Sequence, residues 1–129
     1  MIVLDSSAAV DYLAGLEHGP WIGAILDEED DVHVPHVLDI EVAGALRTLV
    51  SHGSVSTRTA SAAIEDLALL DLARHPHVLL LERIWQLRAN VSAADASFVA
   101  LAELLDAPLV TTDLRLARAP GIRAQVVTP

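Results

Sequence analysis

Apolar positions along this chain follow two alternating rhythms, short unbroken runs and longer stretches that repeat every three or four residues. The run Ile2-Val3-Leu4 closes on Asp5 and predicts a strand over residues 2–5, and helical spacing then predicts helices over about Ser7–Leu16 and His18–Asp27. Glu28-Glu29-Asp30-Asp31 reads as a solvated connection into a short strand, Val32-His33-Val34, closed by Pro35. Helical spacing returns from His36 to His52, with Gly53 as its stop, and again over about Ser56–Leu70. A strand is expected near Asp71–Ala73, and His75-Pro76-His77 is expected to open a helix to about Arg88. Asn90-Val91-Ser92 leads a helix over Ala93–Leu105, Pro108–Thr111 reads as a strand, Asp113–Arg118 as a helical turn and Ala124–Val127 as a last strand.

Strands alternating with helices imply an α/β fold with a central, mainly parallel sheet and helices on both faces. With 129 residues and no repeat, linker or low-complexity tract, one domain spanning 1–129 is expected. In such sheets ligands bind beyond the carboxyl ends of the strands, where Asp5 and Asp113 fall.

Two further acids stand out by helical geometry. Val37, Leu38, Gly44, Ala45 and Thr48 surround Glu41 on its helix face, a small and apolar setting, whereas Asp39 projects roughly 160° away and reads as solvated. Asp95 shares its side with Phe98, Val99 and Ala102. A carboxylate on a core-facing stripe is costly unless it is paired or binds a metal. Each acid also has an ordinary alternative. Ser92-Ala93-Ala94-Asp95 resembles a capping box, Asp5 and Asp113 suit N-caps, and Glu41 could pair with a buried arginine. Four such accidents need not point at one place, whereas a divalent-metal site at one rim of the sheet accounts for all four. An all-oxygen donor set favours Mg2+ or Mn2+ over zinc.

Composition narrows the partners. The net charge is −10, all eight basic residues are arginine, and a chain that coats nucleic acid nonspecifically should be basic. Carboxylates filled with divalent cations nevertheless present positive charge to phosphate. Absence of cysteine excludes disulfides and thiolate metal sites and is compatible with a reducing compartment. The opening residues lack a basic leader and no apolar run approaches the roughly 20 residues of a membrane span, so a cytoplasmic protein is expected. A hydrophobic content of 53% with mean hydropathy +0.45 suggests apolar surface covered by a partner.

Four segments, IVLDSSAAVDYL, VLDIEVAGALR, LRANVSAADASFVALAE and APLVTTDLRLA, together resemble the PIN-domain ribonucleases, and among them the VapC-like toxins of bacterial toxin–antitoxin pairs. The resemblance spans essentially the whole chain. It matches Asp5 to the acid that ends the first strand, Glu41 to a glutamate on a central helix, Asp95 to the acid of an N-[LV]-[ST]-x-x-D pattern, and Asp113 to the acid of a T-D pattern. It implies Mg2+-dependent cleavage of RNA, homodimerisation and an antitoxin that inserts a peptide into a groove. On that reading Asp5 and Asp95 contact Mg2+ directly, Asp113 and Glu41 complete the cluster, and Glu41 or Asp113 orients the attacking water. Ser6, Thr112 and Ser7 are candidates to hold the carboxylates, and Arg115 and Arg118 to contact RNA phosphates or to form helix-face salt bridges. His33, His36, His75 and His77 lack the spacing of a zinc site. Trp21, Ile22, Ile25 and Leu26 suit core packing, with an antitoxin groove as the alternative. An aspartyl-phosphate phosphatase would need an acid where Ser7 stands, and a catalytically inactive partner-binding module conflicts with the complete set of four acids.

Overall fold

A computed structural model describes all 129 residues. Five short strands, β1 (Ile2–Leu4), β2 (Val32–Pro35), β3 (Ala73–His75), β4 (Leu109–Val110) and β5 (Val126–Val127), pair in the order β3-β2-β1-β4-β5, every pair parallel. Helices α1 (Ser6–Leu13) and α2 (Gly19–Glu28) connect β1 to β2, and α3 (Val37–Ser51) and α4 (Thr57–Leu69) connect β2 to β3. A 3-10 turn (Val78–Leu80), α5 (Leu81–Gln86) and α6 (Ala93–Leu105) lead to β4, and α7 (Leu114–Ala117) precedes β5. No helix is long and apolar enough to cross a membrane.

The chain steps outward from β1 to β3 and then doubles back past β1 to β4. Right-handed crossovers therefore place α1–α4 over one face and α5–α7 over the other. In agreement, α1 packs on α2, α3 and α4, while α6 lies against β1, β2 and β4. Central parallel strands are covered on both sides, which is why β1 is an unbroken apolar run with all three residues buried. Helix α6 is enclosed too: every residue from Ala96 to Ala102 is buried, and its alanines let it seat closely on the sheet around Phe98 and Leu101. The strand order reverses between β1 and β4, so a crevice opens beyond their carboxyl ends.

Several boundaries differ from expectation for local reasons. Helix α1 stops at Leu13 because Gly15 turns left-handed (φ 65) and the Leu16 N–H closes back on the Asp11 carbonyl at 2.9 Å. At Gly19 a Cβ would lie 2.7 Å from the Asp11 carbonyl oxygen, so glycine permits the close crossing of α1 and α2. Strand β3 begins two residues late and extends through His75, which therefore ends a strand and does not open a helix. That register sets Arg74 opposite Val34 and brings its guanidinium onto Asp39 in a two-pronged ion pair of 2.8 and 3.0 Å. Asp39, expected to be solvated, is thus paired. The acidic run is likewise partly engaged: Glu29 binds the N-terminal ammonium at 2.8 Å and Asp31 accepts from His33 at 2.6 Å. Ile22 is fully buried, and Trp21, Ile25 and Leu26, each partly buried, pack against the core.

Beside Asp31, His33 also meets His75, Nδ1 to Nε2 at 2.8 Å. Burial lowers the pKa of His75 from its ordinary 6.5, and the neighbouring His33 and His36 lower it further. The unfolded chain then takes up this proton before the folded one does. Its contribution to stability is intact above pH 6.5 and is lost as the pH falls from 6.5 through the folded value. His75→Gln should accordingly narrow the gap in thermal midpoint between pH 7.5 and pH 5.5 relative to the parent chain, as read by circular dichroism.

Candidate active site

Asp5 follows β1 directly and is 3% exposed. Its backbone N–H donates to the Val110 carbonyl of β4 at 3.1 Å, extending the pairing of the two strands to the crevice. One carboxylate oxygen, Oδ1, accepts from the Ser7 hydroxyl at 2.7 Å and from the Ala8 N–H at 3.0 Å, the latter capping α1. The other, Oδ2, accepts from Thr111 Oγ1 at 2.6 Å. Burial pushes this carboxyl above its ordinary 3.8; the bonds from Thr111, Ala8 and Ser7 oppose the rise, and the charge of Asp95 adds to it.

Thr111, fully buried, joins the two strand-end acids: its hydroxyl donates to Asp5 and accepts the Asp113 N–H at 3.0 Å. The hydroxyls that hold Asp5 are those of Ser7 and Thr111, not Ser6 and Thr112. Thr112 takes part through its backbone, donating to Ser7 Oγ at 3.2 Å. Asp113 caps α7, its Oδ1 accepting from the N–H groups of Arg115 at 2.9 Å and Leu116 at 3.4 Å.

Asp95 sits in the first turn of α6, whose cap is the Ser92 hydroxyl accepting the Asp95 N–H at 3.2 Å. Burial raises the pKa of the Asp95 carboxyl from 3.8; Ser92 pulls it down, the charge of Asp113 pushes it up and Arg115 offsets part of that. Asp95, Asp113 and Arg115 line one open cleft of about 500 Å3 together with Asn90 and Ser92. Arg115 reaches to within 3.7 Å of Asp113 Oδ1 yet leaves its side chain 95% exposed. Arg118 is exposed at the end of α7.

Glu41, half-buried, forms no ion pair and lines a neighbouring cleft of about 440 Å3 with Ser6, Ser7 and Asp11. Burial raises the Asp11 pKa, with His18 opposing. The structure therefore joins Asp5 to Asp113 through Thr111 and sets Asp95 near enough for its charge to raise the Asp5 pKa, while Glu41 lines the neighbouring cleft with Ser7. No three acid or imidazole groups stand close enough to clasp an ion as they are. Oxygen-only donors fit a hard cation, and two of the acids carry pKa values raised by burial, a strain that a divalent charge relieves. Asp11 and Thr111 are not among the expected site residues, and Asn90 enters only as the first residue of the pattern that carries Asp95.

An acid-rimmed crevice at the switch point of a small parallel sheet defines a nuclease-like α/β domain, and comparison with known proteins gives it a family. The PIN domain matches residues 2–122. Ribonuclease VapC1 of Mycobacterium tuberculosis is 44% identical over 125 residues, covering 96% of this chain and 94% of that protein. Among solved structures, M. tuberculosis VapC20, described as a sarcin–ricin loop cleaving toxin, superposes with TM-score 0.70 at 18% identity over the full length of both chains. VapBC2 of Rickettsia felis, bound to a DNA fragment from its promoter, gives 0.68 at 14% identity, covering 99% of this chain and 98% of that one. The chain belongs to the PIN-domain family, in its VapC branch.

Two consequences of this geometry can be measured. A carboxyl whose folded pKa lies above the unfolded 3.8 binds its proton more tightly when folded, so stability falls as pH rises through the window above 3.8. Asp95→Asn should therefore raise the thermal midpoint at pH 7 in EDTA. Thr111→Val leaves both the Asp5 carboxylate and the Asp113 N–H short of a partner, and should lower unfolding free energy by about 1–3 kcal/mol in urea titrations.

Proposed function

We propose that this protein is a Mg2+-dependent endoribonuclease, the toxin of a toxin–antitoxin pair. The observation that carries this reading is a buried Asp5 carboxylate, held by Ser7 and Thr111 at the switch-point crevice, with Asp95 and Asp113 beside it. The ribonuclease named among its relatives, the toxin described for VapC20 and the two-component VapBC2 assembly supply the substrate class and the antitoxin.

Asp5 and Asp95 would hold Mg2+, with Asp113 and Glu41 completing the set and Mn2+ as a substitute ion. When bound, the ion lowers the pKa of its water and draws charge from the phosphate. Glu41, free of ion pairs, or Asp113, whose Oδ2 the α7 cap leaves open, would orient the attacking water and take its proton. The P–O bond to the leaving ribose then breaks. Arg115 and Arg118, extended from α7, contact flanking phosphates. Val78 and Leu79 are 69 and 76% exposed ahead of α5, and such an apolar ridge supports a homodimer.

The chain purified free of partner should cleave single-stranded or structured RNA with Mg2+, and lose that activity in EDTA and as Asp5→Ala or Asp95→Ala. Cleavage that persists in EDTA and in both variants would overturn the reading. Light scattering should give twice the chain mass, falling toward one with Leu79→Lys.

A further inference from the structure

A groove of about 230 Å3 runs between the start of α3 and the start of α6, lined by Val37, His77, Leu81, Ile84, Ala93 and Ala94. Its two walls are carried by the helices that bear Glu41 and Asp95, although no acid lines the groove itself. Val37 lies one helical turn before Glu41, and Ala94 immediately precedes Asp95, so whatever enters the groove lies alongside the acids. The volume falls below the roughly 300–1,000 Å3 of pockets for drug-sized ligands and suits one small planar ring.

Two polar side chains line the groove, His77 and Ser97, and the Ser97 hydroxyl already donates to the Ala94 carbonyl at 2.6 Å. The Val37 N–H, an otherwise free donor at the beginning of α3, donates to His77 Nε2 at 3.0 Å. Nε2 must therefore be unprotonated, and the neutral ring carries its hydrogen on Nδ1. His77 thus brings to the groove one ring N–H that Val37 leaves free.

Charge distribution says what approaches. Residues 1–82 carry fourteen acids and three arginines, a net −11, whereas residues 83–129 carry five arginines and four acids, a net +1. Residues 83–129, which hold most of α5 and all of α6 and α7, are thus the part of the chain that repels a polyanion least. Two residues past α5, the Arg88 guanidinium lies 4.6 Å from the centre of the exposed Trp85 ring, a flat cationic surface of the kind on which unpaired bases stack.

Resting on the ribonuclease reading, we infer that this groove is the subsite for one unpaired base next to the scissile phosphate, with His77 Nδ1 donating to a carbonyl of uracil, cytosine or guanine. Van der Waals contact comes from Val37, Leu81 and Ile84, and specificity from the one hydrogen bond.

Fluorescence anisotropy in EDTA, where RNA stays intact, tests this with two labelled probes, an eight-nucleotide uridine RNA and the same backbone with abasic residues. The parent chain should bind the uridine probe about tenfold more tightly, the scale of one stacked base. Ala93→Phe, which fills the groove from an exposed position, and His77→Leu should abolish that ratio. His77→Gln, which can accept from Val37 and still donate, should keep most of it. Circular dichroism and light scattering establish that each variant is folded and in the parent's oligomeric state. A ratio unchanged in Ala93→Phe and His77→Leu overturns the inference, as does a change of oligomeric state in Ala93→Phe with base preference intact, which would make the groove a protein contact. Mg2+-dependent cleavage by the parent chain reports separately on the ribonuclease reading.

Discussion

The carboxylate of Asp5 lies at the end of the sheet's central strand, out of reach of water, in a place that burial makes expensive for any charge. Three hydrogen bonds make it tolerable, and each binds a different part of the fold to that point. Ala8 fixes the first turn of α1, Ser7 fixes the loop before α7 through Thr112, and Thr111 fixes β4 and the backbone of Asp113. Parallel pairing of β1 with β4 supplies the register that lets these groups meet. The site and the junction of the two halves of the sheet are therefore one construction, and neither can be loosened without disturbing the other.

Near this point, capping and chemistry share residues. Asp5 and Asp113 both serve as helix N-caps, and Ser92 caps the helix that carries Asp95. The cap reading and the metal-site reading of these acids are compatible, because a cap uses only part of a carboxylate. Asp113 gives Oδ1 to α7 and keeps Oδ2; Asp95 uses its N–H for the cap and keeps its whole carboxylate. Helix formation orients the acids at no extra cost in chain entropy.

The four acids were legible in the chain because each obeys a local rule: Asp5 and Asp113 end strand segments, and Glu41 and Asp95 interrupt apolar helix faces. The alternation of strands and helices likewise announces the parallel sheet. What escaped depends on contacts distant in sequence. Which of Thr111 and Thr112 turns inward is a matter of strand parity, and a strand as short as Leu109–Val110 carries no alternation from which to read it. The pairing of Arg74 with Asp39 and of His33 with His75 follows from the register of β3 on β2, and a shift of two residues in that strand moves every partner.

The uneven placement of charge has a mechanical side. With most of its negative charge in the first two-thirds of the chain and a slight positive excess in the rest, the molecule behaves as an electric dipole. Near a polyanion such a body experiences a torque before it experiences contact, and it turns its α5–α7 side forward while the remainder is repelled. A protein that is anionic overall can in this way select among encounters: collisions in the wrong orientation are brief, and those in the right one are guided. Added salt then does two opposed things, easing the overall repulsion and erasing the guidance, so the dependence of encounter rate on ionic strength need not be monotonic.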